Sequence, residues 1–226
     1  MRIAIVSDVH SNIHALEVVL ERIEGYAPDA VLCLGDVVGY SAHPNECCRR
    51  VRSTVDSSIL GNHDRAALTR DVRFMNPYAA AAALWTADRL DEESKSFISS
   101  LPTSLRFDDD EGCVVSGFHG SDTDPDEYVY EEMVDGDILV RCAADAVFLG
   151  HTHVPYRRAF ETGVVGNPGS VGQPRDGDPR ASFATFDTRS RDFDVERVEY
   201  DTESASESIL KAGLPMILAS RLAVGK

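Results

Sequence analysis

Asp8 and His10 stand two residues apart, and so do His151 and His153. The first pair follows the apolar run Arg2 to Val6, the second the run Ala146 to Leu149. A carboxylate with an imidazole, or two imidazoles, at the end of a buried strand make natural metal ligands. In extended backbone, residues i and i+2 project to one side, so each pair can aim at a single point. The same chemistry recurs at other strand ends. Gly35-Asp36 closes Ala30 to Leu34, Gly61-Asn62-His63-Asp64 closes Ser57 to Leu60, and His119 stands in Phe118-His119-Gly120. Glycine beside such groups lets the backbone turn sharply and approach a ligand closely. Five of the seven histidines fall in these corners, His63 among them. The candidate ligands are Asp8, His10, Asp36, Asn62, His119, His151 and His153. A mixed carboxylate and imidazole set suits manganese, iron, cobalt, nickel or zinc. Two such ions sharing a carboxylate lie roughly 3.5–4 Å apart, and a water between them loses its proton readily. That hydroxide is a nucleophile, and the ions can neutralise oxygens on which charge accumulates.

Positioning these groups needs buried strands. Arg2 to Val6, Ala30 to Leu34 and Ser57 to Leu60 are apolar or short runs separated by helical patterns, the first over Ala15 to Ile23 with Gly25 closing it, the second over Pro44 to Arg52. Strand, helix and strand thus alternate, each strand ending in polar residues at the edge where α/β sheets collect ligands. Pro77 to Leu90 and Glu92 to Ser99 follow as helices. Leu105 to Phe107 and Cys113 to Phe118 are expected to form a hairpin with the acidic stretch Asp108 to Glu111 at its tip. Val154 to Phe160, Ala181 to Phe186 and Phe193 to Tyr200 alternate as antiparallel strands of a second sheet, and Ser204 to Lys211 and Pro215 to Ala223 close the chain as helices. No repeat, low-complexity tract or linker interrupts residues 1–226, which suit one domain.

Bulk composition narrows the function classes. The chain is 43% hydrophobic and 27% charged, as soluble globular proteins are. No apolar stretch reaches membrane-spanning length and no signal-peptide pattern opens the sequence, so a cytoplasmic protein is expected. Five cysteines without a Cys-x-x-Cys motif point to reduced, buried thiols. The formal net charge of -16 argues against duplex nucleic acid as substrate. It also fits a saline cytoplasm, where screening makes such charge tolerable, or simply an acidic protein. A homo-oligomer is compatible with all of this.

In order, Asp8-x-His10, Gly35-Asp36-x-x-Gly39, Gly61-Asn62-His63-Asp64, Phe118-His119-Gly120 and Gly150-His151-x-His153 resemble the calcineurin-like metallophosphoesterases. The resemblance implies an α/β fold, a four-layer sandwich of two mixed sheets flanked by helices, with a dinuclear metal site at the sheet edge. Carried over by position, one divalent ion takes Asp8, His10, Asp36 and His153. The second takes Asp36, Asn62, His119 and His151, with Asp36 bridging; manganese comes first among the metals, then iron, nickel, cobalt or zinc. His63 and Asp64 would be catalytic and Asn62 would also meet substrate. His63 would either protonate the departing oxygen or stabilise charge on a phosphate oxygen. Further pieces resemble a branch of small single-domain phosphoesterases: Gly39-Tyr40, Pro44 to Cys47, Asn167 to Ala181, Leu214-Pro215, Arg221-Leu222 and Gly225. Arg175, in the glycine- and proline-rich loop, would hold a substrate phosphate or brace the loop.

Protein serine/threonine phosphatases and symmetrical dinucleoside tetraphosphatases of that superfamily carry Gly-Asp-x-x-Asp-Arg-Gly and then Gly-Asn-His-Glu. Here Gly39-Tyr40-Ser41 and Asp64 stand instead, so the aspartate that would orient His63 is missing. His14 and His43 match no motif and are expected as caps or surface residues. The reading that follows is a metal-dependent phosphodiesterase or phosphatase acting on a small phosphoester or nucleotide. The alternatives are a non-catalytic metal-binding scaffold of the same fold, which would not hydrolyse bis-nitrophenyl phosphate with manganese, and a nuclease, which would shift single-stranded DNA in a salt-dependent way.

Overall fold

A strand whose side chains are apolar on both faces has to be covered on both, and β1 (Arg2–Val6) is: Ile3 to Val6 are all buried in the computed structural model, which describes residues 1–226. The chain continues through α1 (Ile13–Tyr26), β2 (Ala30–Cys33), α2 (Pro44–Thr54) and β3 (Ser57–Ser58). Three helices follow, α3 (Asn62–Thr69), α4 (Pro77–Ala87) and α5 (Glu92–Ser99), and then the hairpin β4 (Ser104–Asp108) and β5 (Val114–Phe118). Next come α6 (Asp137–Cys142), β6 (Ala146–Leu149), β7 (Tyr156–Phe160) and β8 (Gly163–Asn167). The chain closes with β9 (Ala181–Asp187), β10 (Asp192–Val198), α7 (Thr202–Lys211) and α8 (Met216–Leu222).

Two mixed five-stranded sheets result, in the orders β10-β9-β1-β2-β3 and β4-β5-β6-β8-β7. Strand alternation decides what each face meets. Ile3, Ile5, Leu32, Ala184 and Phe186 of the first sheet pack against Val115, Phe148 and Val164 of the second. Phe148 makes an edge contact with Phe186 at 5.1 Å and stacks on Phe193 at 5.3 Å. On the outer face of the first sheet, Ala4, Val6, Val31, Cys33 and Phe183 pack with Leu16, Val19 and Val51 of α1 and α2. Val147, Leu149 and Val165 of the second sheet meet Ile138 and Leu139 of α6. The expected four layers are therefore present. No helix is long and apolar enough to cross a membrane. Four cysteines are buried and free, and Cys142 is free and half-buried.

Several expectations are corrected. β7 joins β8 in the second sheet, but β9 and β10 belong to the first, where β9 pairs antiparallel with β1. Alternation shows that a strand has two faces; it does not say which sheet supplies its neighbour. Gly25 does not end α1, which runs on to Tyr26 and stops where Ala27 turns left-handed. β3 spans two residues rather than four. The elements α3, α6 and β8 lie where no element was expected.

Candidate metal centre

The corners after β1, β2, β5 and β6 meet at one edge of the sandwich. Backbone hydrogen bonds run past the strand ends and lock them: Asp8 N–H to Gly35 O at 3.0 Å, His10 N–H to Asp36 O at 2.9 Å, Gly150 N–H to His119 O at 2.9 Å. Asp8, His10, Asp36, His151 and His153 all have positive φ, from 50° to 66°. The side chains converge through these left-handed turns, not through the extended backbone that their spacing suggested. Each such residue stores strain on the order of 1–3 kcal/mol, a pattern found where function over-determines the backbone. Gly61 allows a close approach: a β-carbon there would overlap the Asp36 carboxylate.

Four imidazoles are each anchored through one nitrogen to a backbone carbonyl. His10 Nδ1 is 3.2 Å from Val38 O, His119 Nδ1 2.8 Å from Leu34 O, His153 Nδ1 2.5 Å from Gln173 O, and His151 Nε2 3.1 Å from Asp126 O. When the rings are neutral and donate to those carbonyls, the opposite nitrogens carry lone pairs, and these nitrogens face one another. His10 Nε2 lies 3.0 Å from His153 Nε2, and His119 Nε2 lies 3.2 Å from His151 Nδ1. Asp8 Oδ1 is 3.2 Å from His153 Nε2 and 3.6 Å from His10 Nε2. Asp36 Oδ2 stands between the two groups, 3.6 Å from His10 Nε2 and 3.4 Å from His119 Nε2. Asn62 Oδ1 joins the second group, 3.0 Å from His119 Nε2. The ligating atoms of Asp8, His10 and His153 fall within 4.8 Å of one another, as do those of Asp36, His119 and His151. A third such group, His10, Asp36 and His63, was not foreseen.

The electrostatics ask for a cation. Burial raises the Asp8 carboxyl, but His153, His10 and His119 pull it well below the usual carboxylate range. Asp36 is likewise held low against burial, by His119, His63 and His10. Burial lowers His151 to about 4, and burial with the Arg175 charge lowers His153 to about 3. His119 alone is raised, to about 10, because Asp36 and Asp8 outweigh its burial. Two ionised carboxylates deep in the protein need compensating charge. Asp8 Oδ1 is buried without a hydrogen-bond partner. Facing lone pairs around buried carboxylates, with every second ring nitrogen held by a carbonyl, fit a pair of divalent ions.

Asn62 and His63 open α3 at the rim, and the His63 amide donates to Asp36 Oδ1 at 2.8 Å. The His63 ring packs on Tyr40 (4.4 Å) and His10 (4.8 Å). Its Nδ1 is buried with no partner, facing Gly39, where a β-carbon would come within 2.5 Å. Burial lowers His63 well below its ordinary range. Asp64 does not join the converging groups. Its oxygens accept from the Val38 amide at 2.9 Å and the Gly61 amide at 3.1 Å, bracing two corners, and burial beside Asp36 raises its carboxyl to about 6. Arg175 reaches inward: Nη2 donates to Tyr40 Oη at 3.1 Å, its Nε is buried without a partner, and Tyr40, Tyr128 and Asp8 hold its charge against burial. The loop from Asn167 supports the corners, with Ser170 Oγ and the Gly172 amide both donating to Asp8 O. Outside the site, His43 sits at the start of α2 with its ring against His14, whose Nε2 is 3.3 Å from Ser208 Oγ. Tyr40, the hub between His63 and Arg175, drew no notice as a site residue, since a lone tyrosine after glycine carries no signal of its own.

The profile of the calcineurin-like phosphoesterase superfamily domain matches residues 1–191. A protein of Methanocaldococcus jannaschii described as uncharacterized is 37% identical over 242 residues, covering 99% of this chain and 98% of its own. The crystal structure of a metallophosphoesterase from Sphaerobacter thermophilus is 36% identical with a TM-score of 0.86, over 100% of this chain and 99% of that one. A hypothetical protein from Pyrococcus horikoshii OT3 shares the fold, with a TM-score of 0.89 at 21% identity over 100% and 98% of the two chains. A profile match over most of the chain, joined by relatives aligned from end to end, makes this protein a member of the calcineurin-like phosphoesterase superfamily.

Proposed function

We propose that the protein is a metal-dependent phosphoesterase that hydrolyses a small phosphodiester. The observation that carries this reading is the pair of lone-pair clusters meeting at Asp36 Oδ2. Asp8, His10, Asp36 and His153 would hold one ion, and Asp36, Asn62, His119 and His151 the other, with manganese the first choice. Bound there, the ions would supply Lewis acidity toward phosphoryl oxygens and make a water acidic enough to act as nucleophile near neutral pH. The chain's own residues do the rest. Arg175 makes no direct salt bridge, which leaves its guanidinium able to take a phosphoryl oxygen. Tyr40 fixes that guanidinium and buttresses the His63 ring. His63 lines the cleft, and its Nδ1 has no acceptor. A doubly protonated ring would bury an unpaired N–H, so the single ring proton belongs on Nε2, from which it donates a hydrogen bond to a charged oxygen of the substrate. Asp64 positions Gly61 and Val38. Purified protein should hydrolyse bis-nitrophenyl phosphate with added manganese and stop on chelation. No turnover with any first-row divalent metal would overturn the reading.

A further inference from the structure

From Asn62 and His151 a cleft leads away from the metal centre along one face of α3, past Ala66 and Thr69. Seven helical steps make it about 10 Å long. It encloses roughly 350 Å³, within the size range of sites for small organic ligands. Tyr40, Phe74 and Tyr128 give it aromatic surface. Tyr128 lies with its ring 3.9 Å from that of His151 and stacks on Tyr130, two residues on, at 6.3 Å and an interplanar angle of 16°. Phe74, in the turn between α3 and α4, also lines the cleft and is 96% exposed. A lone exposed phenylalanine needs no explanation. Phe74 and Tyr128 together give the cleft of two metal-ligand candidates flat apolar surface that no segment of the chain covers.

Charge narrows what could cover it. The carboxylates and the guanidinium that line the cleft are paired: Arg65 with Asp126 at 2.6 Å, and Asp71 with the neighbouring Arg73 at 2.6 Å. No free cation remains there to call for a second phosphate. The Asn76 side-chain oxygen caps α4, which leaves its amide N–H groups to donate to an acceptor on a ring edge. We propose that this cleft is a base subsite, which takes the nucleobase of a nucleoside phosphate ester whose phosphorus lies at the metal centre. The proposal rests on the phosphoesterase reading and names its substrate class.

The test compares adenosine 5′-monophosphate with ribose 5-phosphate, which carries a hydroxyl at C1 in place of the base, as inhibitors of manganese-dependent nitrophenyl ester hydrolysis. Stacking of one base on an aromatic side chain is worth about 1–3 kcal/mol, so the nucleotide should inhibit roughly 5- to 150-fold more tightly. Phe74→Ala and Tyr128→Ala should each shrink that ratio, and the double variant should bring it near unity; both side chains are exposed enough for the variants to fold, which circular dichroism checks. Equal inhibition by the two compounds of the wild-type protein would overturn the subsite, as would a ratio unchanged in the double variant. Absent turnover would instead sink the phosphoesterase reading. In that case dissociation constants of the same two compounds, measured by calorimetry on manganese-loaded protein, give the ratio that decides the subsite.

Discussion

At His63, the carboxylate that would orient and charge a catalytic imidazole is replaced by Gly39, and the ring is held by packing against Tyr40 and His10 instead. A histidine held this way can donate a hydrogen bond but is poorly equipped to deliver a full proton. The difference is measurable, because a proton donor matters for an alkoxide leaving group and hardly at all for nitrophenolate. His63→Ala should lower turnover by roughly 10²–10³-fold, the loss found when one stabilising donor is removed, and by similar factors on alkyl and nitrophenyl esters. Metal content should not change. A loss confined to alkyl esters would restore the proton-donor role. The ligand candidates were legible in the sequence because histidine and aspartate at strand ends have few structural reasons to recur. Their geometry was not, since five left-handed turns leave no compositional trace. The bond from Arg175 to Tyr40 joins residues 135 apart and was likewise invisible.

Among the elements, the two sheets hold the site only if they stay in register face to face, and Phe148 is the side chain that clasps them. It is fully buried between Phe186 and Phe193. Phe148→Ala should cost about 3–5 kcal/mol through lost burial and the cavity left behind. Urea unfolding should show this as a lower midpoint, and a cost below about 1 kcal/mol would mean that the sheets are held elsewhere. Helices α2 and α5 were legible almost to their ends because proline or acidic residues open them and their periods are clear. The sheet that receives β9 and β10 was not legible. Both strands have apolar residues at alternate positions, and only the antiparallel pairing of Ile3 with Phe186 and Ile5 with Ala184 decides for the first sheet.

For the whole molecule, the surface charge and the buried site point in opposite directions. With 38 acidic residues against 22 basic ones, 16 carboxylates stay unmatched however the ion pairs form. Exposed pairs such as Arg49 with Asp91 and Arg52 with Glu93 offset little of that repulsion. The melting temperature should therefore climb as potassium chloride rises from dilute to molar, because screening relieves self-repulsion. A flat or falling curve would remove salt adaptation as the reason for the composition. At the buried centre, Asp36 is the group that reaches both halves. The most direct measurement is metal content and turnover of Asp36→Asn beside the wild-type protein, after loading both with manganese. Two ions per wild-type chain are expected, with most of the metal and nearly all turnover lost in the variant. Two ions and undiminished turnover in the variant would contradict a shared, dinuclear centre.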